Sequence, residues 1–337
     1  MHTPTWGYQF LKSVFACAVC CVGLFVSGFV VGCSGETSHE DQEHSGPTVS
    51  TETRSGTEPI QVLCTTEMVA DIVRAVGGDQ VAVEALMGEG VDPHMYRPSP
   101  KDQQRLSQSE MLFYNGLHLE AQLVRVMESI AERGKPVYAV AGKLEEARDE
   151  RLIEIDAGAW DPHVWNDPDV WAACVETVRD GLSRFDPANA ETYKTNCSAY
   201  QAEVQQLVAY GDQQFALIPE ERRVLVTAHD AFGYLAARYK FEVLPIQGVS
   251  TEAEASVSKI ESLVNTIVDR KVKAVFAETS VNQQYLKALV EGCAARDHDL
   301  KIGGVLYSDA MGGPGSGADS YLRMFKSNID TITNALK

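Results

Sequence analysis

From Ile60 to the C-terminus, short runs of β-branched and apolar residues alternate with longer stretches in which apolar positions recur every three or four residues. Such alternation marks strand–helix units built around parallel sheets. Four strands are predicted first, at 60–64, 82–86, 111–114 and 136–140, and four more at 224–227, 242–244, 274–277 and 304–307. Within the second set, Val257, Ile260, Leu263, Val264, Ile267 and Val268 share a helical face, and Thr251 with Glu254 has the form of a capping box.

Between the two sets, residues 187–218 contain no strand-like run and no proline after Pro187. Tyr193, Cys197, Tyr200, Val204, Leu207, Val208, Phe215 and Ile218 recur at helical spacing, and Pro187 suits a first helical turn. One helix about 48 Å long accounts for this stretch and would run behind both sheets. A break at Gly211 is the alternative, although a single glycine costs a helix only about 1 kcal/mol. The predicted fold class is α/β: two lobes, each a parallel sheet flanked by helices, joined by one long backbone helix. The expected boundaries are a leader at 1–32, a tether at 33–58, lobes at 59–186 and 219–337, and the linking helix at 187–218.

The leader reads as an export signal. After Lys12 an uncharged apolar run extends to Val31 and ends in Val30-Val31-Gly32-Cys33. A small residue before a cysteine at the end of such a run resembles the bacterial lipoprotein cleavage box, with Cys33 as the lipid-modified first residue. A transmembrane anchor would call for stronger basic flanks than Lys12 alone. Residues 34–58 hold one clearly apolar residue, Val49, among Ser, Thr, Gly, Glu and Asp, too few to bury a core. As a flexible coil this tether would span about 25–30 Å and hold the body clear of a membrane surface.

Charge narrows the partners. The chain carries 47 acids against 29 bases, a formal charge of −18, and the part after residue 32 holds all 47 acids and 28 of the bases. Such a body repels phosphate backbones, which argues against nucleic acid, and favours cations. Four of the eight cysteines (Cys17, Cys20, Cys21, Cys33) lie in the leader or at its end. Cys64, Cys174, Cys197 and Cys293 are scattered through the body with no CxxC spacing, and buried thiols are favoured over disulfides.

Two segments share one form: Val91-Asp92-Pro93-His94-Met95-Tyr96 and Trp160-Asp161-Pro162-His163-Val164-Trp165. In each, Asp-Pro fixes an extended or turned backbone and presents the next imidazole from a loop. His229 follows the predicted strand at 224–227, and Asp309 follows the one at 304–307. Ligands of open parallel sheets bind outside the carboxyl ends of the strands, so two facing lobes would bring these four loops into one cleft. Three imidazoles and a carboxylate suit a borderline divalent ion: zinc and iron through nitrogen, manganese through the carboxylate. Asp92, Asp161, Asp230 and Glu278 are near enough in sequence to orient the imidazole N–H groups, and Glu278 also competes with Asp309 as a ligand. His118 and His298 read as structural or exposed. HExxH, GxSxG and GxxxxGK[ST] do not occur.

At this point the chain resembles the TroA-like, cluster A-I solute-binding proteins, the metal-binding receptors of bacterial ABC importers for zinc and manganese. The resemblance rests on VDPHMYRP at 91–98, YNGLHLE at 114–120, DPHVW at 161–165, RRVLVTAHDAFGY at 222–234, QGVSTEAE at 247–254 and YSDAMG at 307–312. It implies a metal held between two α/β lobes by His94, His163, His229 and Asp309, delivery to a membrane permease driven by a cytoplasmic ATPase, and lobe movement limited by the linking helix. Manganese-type relatives often carry glutamate where this chain has His229. Zinc-dedicated relatives often carry a His- and Asp-rich loop after the third strand, whereas residues 120–135 contain no histidine. Zinc, manganese and iron therefore all stand as cargo.

The expected function is a non-catalytic, lipid-anchored, monomeric receptor. A zinc hydrolase would instead keep an open coordination position for water. A surface adhesin that used the metal only structurally would unfold when the metal is removed.

Overall fold

In the computed structural model, residues 58–337 are described, apart from Ala157; the export signal, Cys33, the remaining leader cysteines and nearly all of the tether lie outside them. The first sheet is parallel. Strand β1 (Ile60–Thr66) is central, β2 (Val81–Met87) lies on one side of it, and β3 (Met111–Tyr114) and β4 (Val137–Ala139) follow on the other. Val62 stands opposite both Val83 and Met111, which fixes the register of the central strand. In the second half, β7 (Val224–Thr227) pairs in parallel with β8 (Glu242–Pro245), and β9 (Ala274–Glu278) with β10 (Lys301–Leu306). Among the described residues no ladder joins β7 to β9, but the two strands lie side by side, so the packing order β8, β7, β9, β10 repeats that of the first sheet. That order reverses direction between the first and third strands, and the crevice of an open α/β sheet opens at this switch point.

Capping side chains start the helices. Thr66 Oγ1 accepts the Val69 N–H at the head of α1 (Glu67–Gly77), and Ser99 with Asp102 forms a capping box for α2 (Pro100–Gln108). Helices α3 (Val124–Glu132) and α4 (Gly142–Ala147) complete the first layer. A small antiparallel hairpin, β5 (Glu154–Asp156) with β6 (Ala159–Trp160), then delivers the Asp161-Pro162-His163 segment. The sequence pattern misses this hairpin because its strands are three and two residues long, too short to show a period.

Helix α5 (Pro168–Phe185) begins with Pro168 after the Asp167 cap. A short 3₁₀ turn over Pro187–Asn189 leads into α6 (Ala190–Phe215), 26 residues long, so about 39 Å. Gly211 lies inside α6 and does not break it: a Cβ there would stand 2.6 Å from the Tyr239 hydroxyl, so glycine makes room for a packed ring. Helix α6 packs on α1 and α5 of the first lobe and on α10 (Tyr321–Leu336) of the second. The second lobe also holds α7 (Gly233–Tyr239), α8 (Val257–Arg270) and α9 (Gln284–Ala294). The capping box expected at Thr251 is not formed. Ser256 caps α8 by accepting the Lys259 N–H, and Thr251 bonds across to the other lobe instead.

The apolar interior is not two separate cores. One cluster runs from Val62 and Phe113 of the first sheet through Trp171, Tyr193 and Val204 to Leu225, Phe276 and Ile329 of the second lobe. Smaller clusters lie beneath α8 and α9 and beneath α2 and α3. Cys64, Cys174, Cys197 and Cys293 are buried free thiols, and burial raises the pKa of each. Among the described residues no helix is long and apolar enough to cross a membrane.

Candidate metal centre

The carboxyl ends of the two sheets face each other, and four side chains meet between them. One ligand-capable atom from each of His94, His163, His229 and Asp309 lies within 4.8 Å of every other. All four residues are buried, His94 being 4% exposed and Asp309 1%. His94 is reached by the loop after β2, His163 by the turn after β6, His229 by the turn after β7, and Asp309 by the turn after β10.

Each of two imidazoles is oriented by a carboxylate behind it. Glu278, the last residue of β9, accepts the N–H groups of Ala228 (2.6 Å) and His229 (3.0 Å) on Oε1, and its Oε2 lies 2.5 Å from His229 Nδ1. This pair sits at the switch point between β7 and β9. Asp161 acts similarly with one oxygen: Oδ1 accepts the His163 backbone N–H (2.9 Å) and lies 2.7 Å from His163 Nδ1. Both contacts hold a proton on Nδ1 and turn Nε2 toward the centre, where it becomes a bare donor once its own proton leaves. His94 is held differently. Asp92 Oδ1 accepts its backbone N–H (2.9 Å), and Asp92 Oδ2 accepts the Thr251 hydroxyl (2.6 Å), so Asp92 orients the loop and not the ring. Asp230 donates its backbone N–H to Gly248 O, and among the described residues no hydrogen bond links its carboxylate to an imidazole.

The spacing fits a small cation. His94 Nε2 and His163 Nε2 are 3.2 Å apart, His163 Nε2 and Asp309 Oδ1 3.4 Å, and His229 Nε2 and Asp309 Oδ2 3.1 Å. Ligands on a tetrahedron with bonds of ~2.0–2.1 Å stand about 3.3 Å from one another. His229 Nε2 and Asp309 Oδ1 are buried and face only other members of the cluster, Asp309 Oδ2 and His163 Nε2, across 3.1 and 3.4 Å.

Without cargo, proton and carboxylate balance the charge. Burial opposes a charge on His163, but Asp161 and Asp309 outweigh it and raise the imidazole to about 9. Burial likewise opposes a charge on His229, and Asp309 and Glu278 raise it well above the usual value. Burial, reinforced by the two other imidazoles, lowers His94 to about 3 although Asp309 pulls the other way. Asp309 stays ionised: burial works against it, and His229 and His163 hold it far below the ordinary carboxylate range.

The other two histidines stand apart. His118 is exposed at φ 62°, and His298 Nε2 lies 2.6 Å from Val272 O at the base of the second lobe. Several supporting residues escaped the sequence reading. Asn115 Nδ2 donates to Pro162 O (2.9 Å), Trp165 Nε1 to Ser308 O (2.7 Å), Asn166 Nδ2 to Ala231 O (2.8 Å) and the Tyr234 hydroxyl to Asp161 O (2.7 Å). The one sequence signal for Asn115, Trp165 and Asn166 is their place in or beside the DPHVW and YNGLHLE segments. Glu120, in the second segment, is itself buried and bonded to Thr65 and to the Asn115 N–H at the first lobe's switch point.

Comparison with known proteins agrees with this architecture. The manganese-binding lipoprotein MntA of Bacillus subtilis (strain 168) is 39% identical over 285 residues, covering 84% of this chain and 92% of its own. The zinc-binding protein TroA of Treponema pallidum (strain Nichols) is 39% identical over 276 residues, covering 82% and 88%. The solved structure of periplasmic zinc binding protein TroA from Treponema pallidum matches with a TM-score of 0.79 at 38% identity, over 82% of this chain and 99% of that one. The family description "ZnuA: Zinc-uptake complex component A periplasmic" fits residues 62–335, and with that extent of match the chain belongs to the ZnuA family.

Proposed function

We propose that this protein is the extracytoplasmic receptor of a metal importer: it captures one divalent transition ion and hands it to an ABC permease worked by a cytoplasmic ATPase. The ion is zinc or manganese, with iron as the third candidate, and its ligands are His94, His163, His229 and Asp309. The observation that carries the reading is the convergence of four buried donors, three imidazoles and a carboxylate, each within 4.8 Å of the others. Asp161 and Glu278 act behind His163 and His229 as orienting carboxylates, and relatives named for manganese and for zinc bracket the cargo. In this reading residues 1–32 are removed on export, Cys33 carries the lipid anchor, residues 33–58 are the tether, and 187–218 link lobes at 59–186 and 219–337 of a monomer.

The receptor is preferred to a hydrolase for a geometric reason. Asp309 is placed to supply a fourth donor and all four residues are buried, which favours a closed coordination sphere over one that keeps a position for an activated water. Metal content tests the ligand set. Elemental mass spectrometry on residues 34–337, purified without a metal-binding tag, should find about one zinc, manganese or iron per chain, and none in a His94→Ala, His163→Ala double variant. A chain that stays empty after incubation with each ion overturns the proposal.

A further inference from the structure

The turn after β3 holds backbone strain. Gly116, Leu117 and His118 take φ of 89°, 52° and 62° in succession. Glycine adopts this left-handed region freely, but side chains with a Cβ disfavour it, and two such residues in a row persist only where their surroundings fix them. The turn closes on Glu120, whose buried carboxylate comes back beneath the end of the strand. Its Oε1 accepts the Thr65 hydroxyl (2.6 Å) and the Asn115 N–H (2.8 Å), and its Oε2 accepts the Gly116 N–H at 3.4 Å. Bonds to a buried carboxylate are among the stronger ones a turn can make, and they offset the strain.

Glu120 is the first lobe's counterpart of Glu278. Each is a buried glutamate at or just after the third strand of its lobe, and each reaches across to the end of the first strand: Glu278 to the N–H groups of Ala228 and His229 after β7, Glu120 to the Thr65 hydroxyl in β1. Glu278 meets a ligand ring directly. Glu120 works at one remove, through the Asn115 it fixes. Asn115 Nδ2 donates to Pro162 O (2.9 Å) and to Gly116 O (3.1 Å), and because both acceptors are carbonyls the amide must present its NH₂ to them. Pro162 O and the His163 N–H belong to one peptide unit, and Asp161 Oδ1 accepts that N–H at 2.9 Å. This planar unit is therefore gripped on both edges, by Asn115 from the first sheet and by Asp161 from its own segment, and its plane sets where the His163 side chain starts.

We propose that Asn115 and Glu120 are positioning residues of the metal centre: through the strained turn at 116–118 the first sheet aims His163, as the second sheet aims His229 through Glu278. Neither residue is a ligand. The inference rests on the receptor reading and names what holds its second imidazole in place. Metal–ligand distances tolerate deviations of only about 0.2 Å, so loosening the peptide behind the ring costs affinity although all four donors remain.

Two measurements on residues 34–337 test the relay: zinc affinity by competition against a chelating dye, and the visible absorption of the cobalt-loaded protein, which reports coordination geometry. Asn115→Ala removes the donor to Pro162 O, and Asn115→Leu removes it while filling the same space. Both should weaken zinc about tenfold, the low end of the loss seen when the partner behind a metal ligand is removed, and both should alter the cobalt bands. Glu120→Ala should reproduce that loss by releasing the turn, whereas Glu120→Gln, which can keep an oxygen on Thr65 and Asn115, should retain most of the parental affinity. Because the two residues act in series, Asn115→Ala combined with Glu120→Ala should lose little more than either alone. Gly211→Ala, remote from the relay, is the control and should lower Tm with the zinc affinity and cobalt bands of the parent. Parental Kd and cobalt bands in both Asn115 variants, with only Tm lowered, overturn the relay and leave the receptor standing. An unaltered chain that takes up no zinc, manganese or iron overturns both.

Discussion

Glu278 offers the sharpest check on how the centre is prepared. Its carboxylate accepts two backbone N–H groups with one oxygen and faces His229 Nδ1 with the other, all buried. In Glu278→Gln the amide keeps one accepting oxygen and gains a donor. If the oxygen stays on the backbone N–H groups, the NH₂ faces Nδ1 and the imidazole must carry its proton on Nε2, the atom turned toward the metal. If the amide flips, two N–H groups meet an NH₂. Either way metal affinity falls, and removal of such an orienting partner typically costs 10–100-fold, about 1.4–2.7 kcal/mol. Glu278→Ala should lose as much affinity and more stability, because two buried backbone donors then have no acceptor, at about 1–3 kcal/mol each. Competition against a chelating dye measures the affinity, and thermal unfolding of the chelated protein measures the stability. A Glu278→Gln protein with parental Kd would refute the claim that this carboxylate sets the His229 tautomer.

Three further outcomes follow from the same geometry. Chelation should leave far-UV circular dichroism unchanged and lower Tm, because the apolar clusters do not depend on the centre; binding at a hundred times Kd adds only about 2.7 kcal/mol, and collapse of the helical signal on chelation would revive the adhesin reading. With His163 raised to about 9 in the folded, metal-free protein, its contribution to stability is complete below pH 6.5 and lost as pH rises through about 9. Titrating Tm with and without zinc over that window should therefore show the chelated protein weakening, while the zinc-induced increment grows as bound protons cease to compete. Gly211→Ala should destabilise by about 1 kcal/mol in urea titration: the new Cβ falls 2.6 Å from the Tyr239 hydroxyl, and the overpacking outweighs the gain in helix propensity.

The parts of this molecule that were legible in its sequence are those written in periods or in repeated chemistry. Strands β3 and β7 fall at 111–114 and 224–227 as the β-branched runs predict, and the long helix follows the apolar spacing from Tyr193 to Phe215. The repeated Asp-Pro-His segment and the strand-end positions of His229 and Asp309 singled out the residues that the fold draws within 4.8 Å. What could not be read is what links one segment to a distant one. Thr251 has the local form of a helix cap, yet its hydroxyl goes to Asp92, 159 residues away, while Ser256 caps the helix. The Trp165 and Asn166 side chains donate to backbone carbonyls, Ser308 O and Ala231 O, acceptors that every residue possesses and that leave no imprint on residue choice at the far end. A ligand set constrains the chemistry of all its members and so shows in the sequence. A lattice of side-chain-to-backbone bonds constrains one partner in each pair, and this is why the two lobes and their linking helix were legible while the continuous apolar cluster and the buried bonds that join them were not.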